Sequence, residues 1–251
     1  MAHKMLDLQL RSQVLTQDAG GHNCWEVQTL PVSVPAGETA LLICDVWDAH
    51  WSRGAAERVD AMAGRMNEVI KAARRLGIQI IHAPSDTMDY YAGNPGRLRI
   101  SQAPRVDPPE PQAHDDPPLP IDDSDHGSDT GETTCSTPWT RQHPAIEIDQ
   151  ERDVISDDGP EVYSWMQGRG IKYLLIMGVH TNMCVLNRSF GIKQMVRWGV
   201  RPALVRDLTD AMYNPARPPY VSHEEGTRLV VEYIEKFWCP TISSEEILAG
   251  G

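Results

Sequence analysis

Four short runs of the chain are apolar almost without a break and end in polar or turn residues: "ALLICDV" (40–46), "GIQIIHA" (77–83), "KYLLIMGV" (172–179) and "VRPALVRD" (200–207). Runs of this length, rich in aliphatic and β-branched residues, suit strands of a parallel sheet. Such a sheet is covered on both faces and so shows no polar alternation. Between the runs the period changes to that of a helix. "AAERVDAMAGRMNEVIKAARRLG" places Val59, Met62, Met66, Val69, Ile70 and Ala73 along one stripe and stops at Gly77. "PEVYSWMQGRG" opens with Pro160 in its first turn and closes on Gly168 or Gly170. "NMCVLNRSFGIKQMVRWG" reads as one helix from an Asn182 cap to Gly199, and "SHEEGTRLVVEYIEKFW" pairs Ser222 with Glu225 as a capping box. Alternating strands and helices predict an α/β chain: a doubly wound parallel sheet with helices on both faces, joined by right-handed crossovers.

In that architecture functional residues collect at the carboxyl ends of strands. "LLICDVWDAHW" passes from hydrocarbon into Asp45, Trp47, Asp48 and His50 at just such an end. "YLLIMGVHTNMCV" does the same, and puts Cys184 in the first turn of the following helix. There the unpaired amides and the positive end of the helix dipole favour a thiolate, and the amides of Met183 and Cys184 could hold an oxyanion. A cysteine at a strand–helix junction is by itself more often a small core residue. Asp45 at the end of another strand shifts the reading, because it could take the thiol proton and pass it to a leaving group.

Residues 101–140 are crowded with Pro, Asp, Ser and Gly and show no period, so a single domain over residues 1–251 is expected to carry a loop insertion there. Within it "DDSDHGSDTGE" offers Asp123, Asp125, Asp129 and Glu132 as hard oxygen donors, but the spacing of a calcium loop is not met and a solvated excursion is the plainer reading. The formal net charge of -12 repels phosphate backbones and anionic headgroups, and no apolar run approaches the ~20 residues of a membrane span. The opening residues lack a signal peptide's hydrophobic segment. A cytoplasmic protein with a small-molecule substrate, and without nucleic-acid or membrane partners, is expected. The five cysteines form no CxxC pair and are odd in number, which argues against a disulfide framework.

"LLICDVWDAHW", "YLLIMGVHTNMCVLNRSFGIKQMVRWG" and "VRPALVRDLTDAM" together resemble the isochorismatase-like cysteine hydrolases, the superfamily of nicotinamidases, N-carbamoylsarcosine amidases and biuret hydrolases. The likeness spans residues 38 to 242 apart from the middle loop. It implies a Rossmann-like three-layer sandwich, a homo-oligomer, and an Asp-Lys-Cys triad in which Asp45 is the base and Cys184 the nucleophile. It further implies a cis peptide joining Val179 to His180, with Thr181 bracing the turn. At the position of the family's lysine stands Ser156, and none of the five lysines (Lys4, Lys71, Lys172, Lys193, Lys236) suits that role.

Replacement charges come from Arg141 in the loop, from His50, His82 or His180, or from a divalent metal on Asp45, Asp48 and His50. Arg152, about 13 Å back along an extended chain, is a poor substitute. Local capping by Asp48 and His50 is the plainer reading of that cluster. Trp47, His50, His82, Tyr90, Tyr91 and Arg141 are the candidate pocket residues, with Arg97 and Arg99 suited to a carboxylate-bearing substrate or a surface ion pair. The expected function is hydrolysis of a small amide, carbamoyl or ureido C–N bond through a thiolate, with no cofactor required. The alternatives are a catalytically altered relative that binds a small molecule or a protein, and a metal-assisted hydrolase.

Overall fold

The computed structural model describes residues 4–251. Along the chain lie β1 (Met5–Gln17), β2 (Asn23–Pro35), β3 (Thr39–Cys44), α1 (Arg53–Leu76), β4 (Gln79–Ala83), α2 (Pro95–Ser101) and β5 (Val154–Ile155). Then come α3 (Gly159–Arg169), β6 (Tyr173–Val179), α4 (Cys184–Asn187), α5 (Ile192–Arg197), β7 (Arg201–Asp210), α6 (His223–Phe237), β8 (Thr241–Ile242) and α7 (Ser244–Gly250). The strands form one sheet in the order β2-β1-β8-β7-β6-β3-β4-β5.

The six strands from β8 to β5 are parallel, as the unbroken apolar runs predict. Every residue of β3 is buried, and alternation sends Ala40, Leu42 and Cys44 into one core and Leu41 and Ile43 into the other. The first core packs under α3 and α6, the second under α1 and α7. The result is the expected α/β three-layer arrangement, extended at one edge by a long antiparallel hairpin of β1 and β2 that the sequence reading did not anticipate.

The helix ends follow local chemistry. Gly77 closes α1 at φ 92°, in the left-handed region. On that helix Ala63 is fully buried whereas Met62 is only partly so, a shift of one position from the expected stripe. Asp158 caps α3 by accepting the Glu161 amide at 2.8 Å, and Ser222 caps α6 by accepting that of Glu225 at 3.2 Å.

The helix expected over 182–199 is instead two pieces. Its cap is Met183, without a side-chain bond, and α4 is a single turn, after which Arg188 is extended at ψ 157°. Phe190 is the reason: it is wholly buried in the core, worth about 1.5–3 kcal/mol, and Ser189 accepts the Gly159 amide at 2.9 Å. A continuous helix could not deliver both contacts.

Two features set the strand ends in register for the site. Cys44 of β3 pairs with Gly178 of β6, so the residues that follow each strand emerge side by side. Gly178 has φ 122°, and a Cβ there would stand 2.0 Å from the Cys44 carbonyl oxygen, so only glycine allows the two backbones this approach. The irregular stretch is longer than the expected loop: no helix or strand occurs between Ser101 and Val154.

Candidate active site

Asp45, the first residue after β3, is wholly buried and has φ 50°, a conformation that turns the chain sharply at the sheet edge. Its carboxylate accepts the Ser85 amide at 2.8 Å on one oxygen and the Arg188 Nε–H at 3.0 Å on the other. Cys184 stands close enough to it for each to perturb the other's ionisation. Burial raises the Asp45 carboxyl, opposed by the Arg188 charge. Burial, followed by the Asp45 charge, pushes the Cys184 thiol up to about 12.

This reverses the expectation of an acidic thiol. A single helical turn supplies little dipole, and the desolvation of a sulfur set beside a carboxylate outweighs it. The resting pair is therefore a neutral thiol poised against a carboxylate.

The cation is Arg188, four residues after the cysteine, and its guanidinium bridges Asp45 and the Asp86 carboxylate, the latter at 3.1 Å. Arg188 was not among the sequence candidates. The i, i+4 spacing from Cys184 could have found it, because it returns a side chain to the same helix face.

Ser156, expected to stand in place of a lysine, is not part of the constellation. It is wholly buried and its hydroxyl donates to Glu161, which also pairs with Arg97. Arg141 donates to the Tyr90 hydroxyl at 3.1 Å and lies 3.7 Å from Asp48, and does not pair with Asp45. Arg152 is held by Asp149 at 2.6 Å.

The turn between β6 and α4 contains a cis peptide between Val179 and His180. The Thr181 hydroxyl meets that of Thr209 at 2.7 Å, and Thr209 donates to the Gly178 carbonyl at 2.8 Å. Asn182 accepts the Met212 amide at 2.9 Å and donates to the Met212 carbonyl and to Asp123. The Met183 amide, expected to bind an oxyanion, is used up by the His180 carbonyl at 3.0 Å. The His180 and Cys184 amides, by contrast, have no acceptor among the described residues. Those two N–H groups are the ones available to a developing oxyanion.

Of the pocket candidates, His82 is a core residue: it is wholly buried, with Gln142 and Asp153 at 3.0 Å from its two ring nitrogens. Tyr91 is buried and accepts the Gln142 amide, while Tyr90 is exposed at the rim. Trp47 donates to the Ser85 carbonyl and stacks on Trp139 at 4.1 Å. His50 lies 4.9 Å from His180, 5.4 Å from Trp51 and 5.8 Å from Trp139, so an aromatic wall runs on from the turn that precedes the cysteine.

The proposed metal donors do not converge. Asp45 is engaged as above, both Asp48 oxygens accept from Thr140, and His50 Nδ1 accepts the Ser52 amide at 3.1 Å. The acidic loop residues face separate partners: Asp123 meets Asn182, Asp125 Asn214, Asp129 Arg58, and Glu132 Ser128 and Thr130. Among the described residues no group of three His, Cys, Asp or Glu is gathered to hold a metal ion.

His50 and His180 share a cavity of about 50 Å³ with Asp45, and His180 Nε2 is buried there without a partner. Burial lowers His50 to about 4, and burial with the neighbouring His50 lowers His180 to about 3, so both are neutral at pH 7. A histidine whose folded pKa lies below its unfolded value of about 6.5 binds fewer protons when folded. Its stabilisation is complete above about pH 6.5 and drains as pH falls towards those two values. His223 works in the opposite sense. Its hydrogen bond to Asp210, reinforced by the Asp210 charge, overcomes burial and raises its pKa, so its contribution fades as pH rises through the folded value. The melting temperature should fall on acidification from about pH 6.5 to 4.5, and His180→Asn should flatten that slope. Parallel profiles for the two proteins would assign the loss to other groups.

No protein-family model matches the chain, and none of the curated proteins matches it in sequence. Solved structures do. A cysteine hydrolase from Pseudomonas syringae pv. phaseolicola aligns over 87% of this chain and 96% of its own, with a TM-score of 0.54 at 14% identity. An isochorismatase from Pseudomonas putida aligns over 84% of this chain and 91% of its own, with a TM-score of 0.50 at 15% identity. The chain has the fold of the isochorismatase-like cysteine hydrolases, and at the point where two of its strands end it sets an aspartate beside a cysteine with an arginine as their cation.

Proposed function

We propose that the protein hydrolyses the C–N bond of a small amide, carbamoyl or ureido compound with Cys184 as nucleophile. The observation that carries this reading is the juxtaposition of the Cys184 thiol with the buried Asp45 carboxylate held by Arg188. As the sulfur attacks the carbonyl carbon, the thiol proton moves to Asp45 and an S–C bond forms. The carbonyl oxygen gains charge opposite the His180 and Cys184 amides. Asp45 then gives its proton to the departing nitrogen, the C–N bond breaks, and a thioester remains. Water attacks the thioester, losing a proton to Asp45, and the acid leaves as the proton returns to sulfur.

A thiol pKa of about 12 is compatible with this order, because transfer to an adjacent carboxylate is coupled to attack and needs no free thiolate in the resting state. Asp45→Asn keeps the size and removes the acceptor. Ammonia release from a small amide panel should drop by roughly 10²–10⁴-fold, the usual contribution of a positioned base. An unchanged rate would send the proton elsewhere. On this reading no cofactor takes part in the steps.

A further inference from the structure

The cleft at Cys184 has a charge balance that bears on what enters it. It is an open groove of about 370 Å³ lined by Leu119, Asp123, Asn182, Cys184, Asn187 and Arg188. Arg188 is its one cation, and that charge is shared between Asp45 at 3.0 Å and Asp86 at 3.1 Å. Asp123, brought to the groove by the irregular loop, is held by the neutral Asn182 amide at 2.8 Å. Among the described residues no cation pairs with it, and the neighbouring loop cation, Arg217, is occupied by Asp122 and Ser124. Asp45 and Asp86 thus bond the guanidinium while Asp123 lines the groove with it, three carboxylates to one cation in a chain whose formal net charge is -12.

The rings beside Asp45 add no cation to this balance. His180 and His50 line a separate small cavity with Asp45, next to Trp51 and Trp139, and both histidines are neutral at pH 7. An anion entering the groove therefore meets carboxylates and no free cation.

We propose that the substrate is an amide or ureido compound that carries a positive charge, an ammonium or guanidinium group, with Asp123 as the residue that selects it. The proposal rests on the hydrolase reading for the word substrate, and on the charge of the groove for its class. Asp123 recognises the distant cationic group while Asp45 and Cys184 work on the carbonyl. Carboxylate-bearing amides are disfavoured because Arg188 has no uncompensated charge to offer them.

The test uses three amides of similar length: 5-aminopentanamide, hexanamide and adipamate. Each is titrated as a protectant of Cys184 against iodoacetamide, with labelling read by mass spectrometry on the Cys184 peptide after digestion, because Cys135 and Cys24 are also free thiols, and ammonia read in the same samples. 5-Aminopentanamide should half-protect at a concentration roughly tenfold or more below that of hexanamide, and adipamate should protect least. Raising the salt from about 0.05 to about 0.5 M should narrow the ratio, as should Asp123→Asn.

Adipamate protecting as well as the cation overturns the proposal, as does a wild-type ratio indifferent to both salt and Asp123→Asn. Ammonia released from hexanamide with no cationic advantage overturns the substrate class and leaves the hydrolase reading in place. A cationic advantage in protection with no ammonia from any of the three upholds the charge preference and overturns hydrolysis.

Discussion

Cys184→Ala should abolish turnover, with ammonia release reduced by at least roughly 10³-fold, while the fold persists. The loss is large because in the proposed mechanism the sulfur forms the covalent intermediate, so no residual path retains the two-step chemistry. The fold should survive because Cys184 is only partly buried and the turn before it is held by Thr181 and Asn182, not by the thiol. Intact-mass measurement on the wild type, quenched during turnover, should show a thioester adduct that the variant lacks. A variant that still releases ammonia at near the wild-type rate would remove the cysteine from the mechanism and with it the proposed function.

The second large effect is expected at Arg188. Removing its guanidinium leaves a wholly buried carboxylate without a cation, which raises the Asp45 pKa further. The sign follows directly. A base that must be ionised becomes available only at higher pH, so the acid limb of kcat/KM should move up in Arg188→Ala and the rate at pH 7 should fall by roughly 10²-fold or more. Breaking a buried pair costs about 3–5 kcal/mol, and the partial exposure of Arg188 places this one below that range.

Arg188→Lys should recover part of the rate, because a point charge restores the field at Asp45 but cannot bridge Asp45 and Asp86 as the planar guanidinium does. A pH–rate profile of Arg188→Ala superimposable on the wild type would show that Arg188 holds structure and nothing more.

Much of this arrangement was legible from residue pattern. The parallel core was visible because strands covered on both faces read as unbroken apolar runs, and Asp45 and Cys184 followed from where those runs end. The hairpin of β1 and β2 was not found, although "LDLQL" alternates with a period of two and Leu6 and Leu8 are buried. Its outer strand is largely exposed on both faces, so it carries no such pattern.

The break after α4 was hidden because helical spacing continues through 182–199, and only the tertiary pull on Phe190 interrupts it. His82 sits at a strand end like Asp45, yet its ring is turned into a polar cluster with Asp153, a difference in facing that a single sequence does not reveal. Arg188 was missed because the cation was sought near Ser156, in the middle loop and among the histidines, and not on the turn that carries the cysteine.

Placing that arginine four residues beyond the cysteine changes how the site is assembled. Where three distant stretches of chain would each have to arrive correctly, here the sulfur and the guanidinium come from one short turn and the residue that ends it, and only the aspartate comes from elsewhere. The short outer strand β5, and Ser156 just after it, thereby contribute no group to the pairing of Asp45 with Arg188; they serve the core and the Glu161 contact instead.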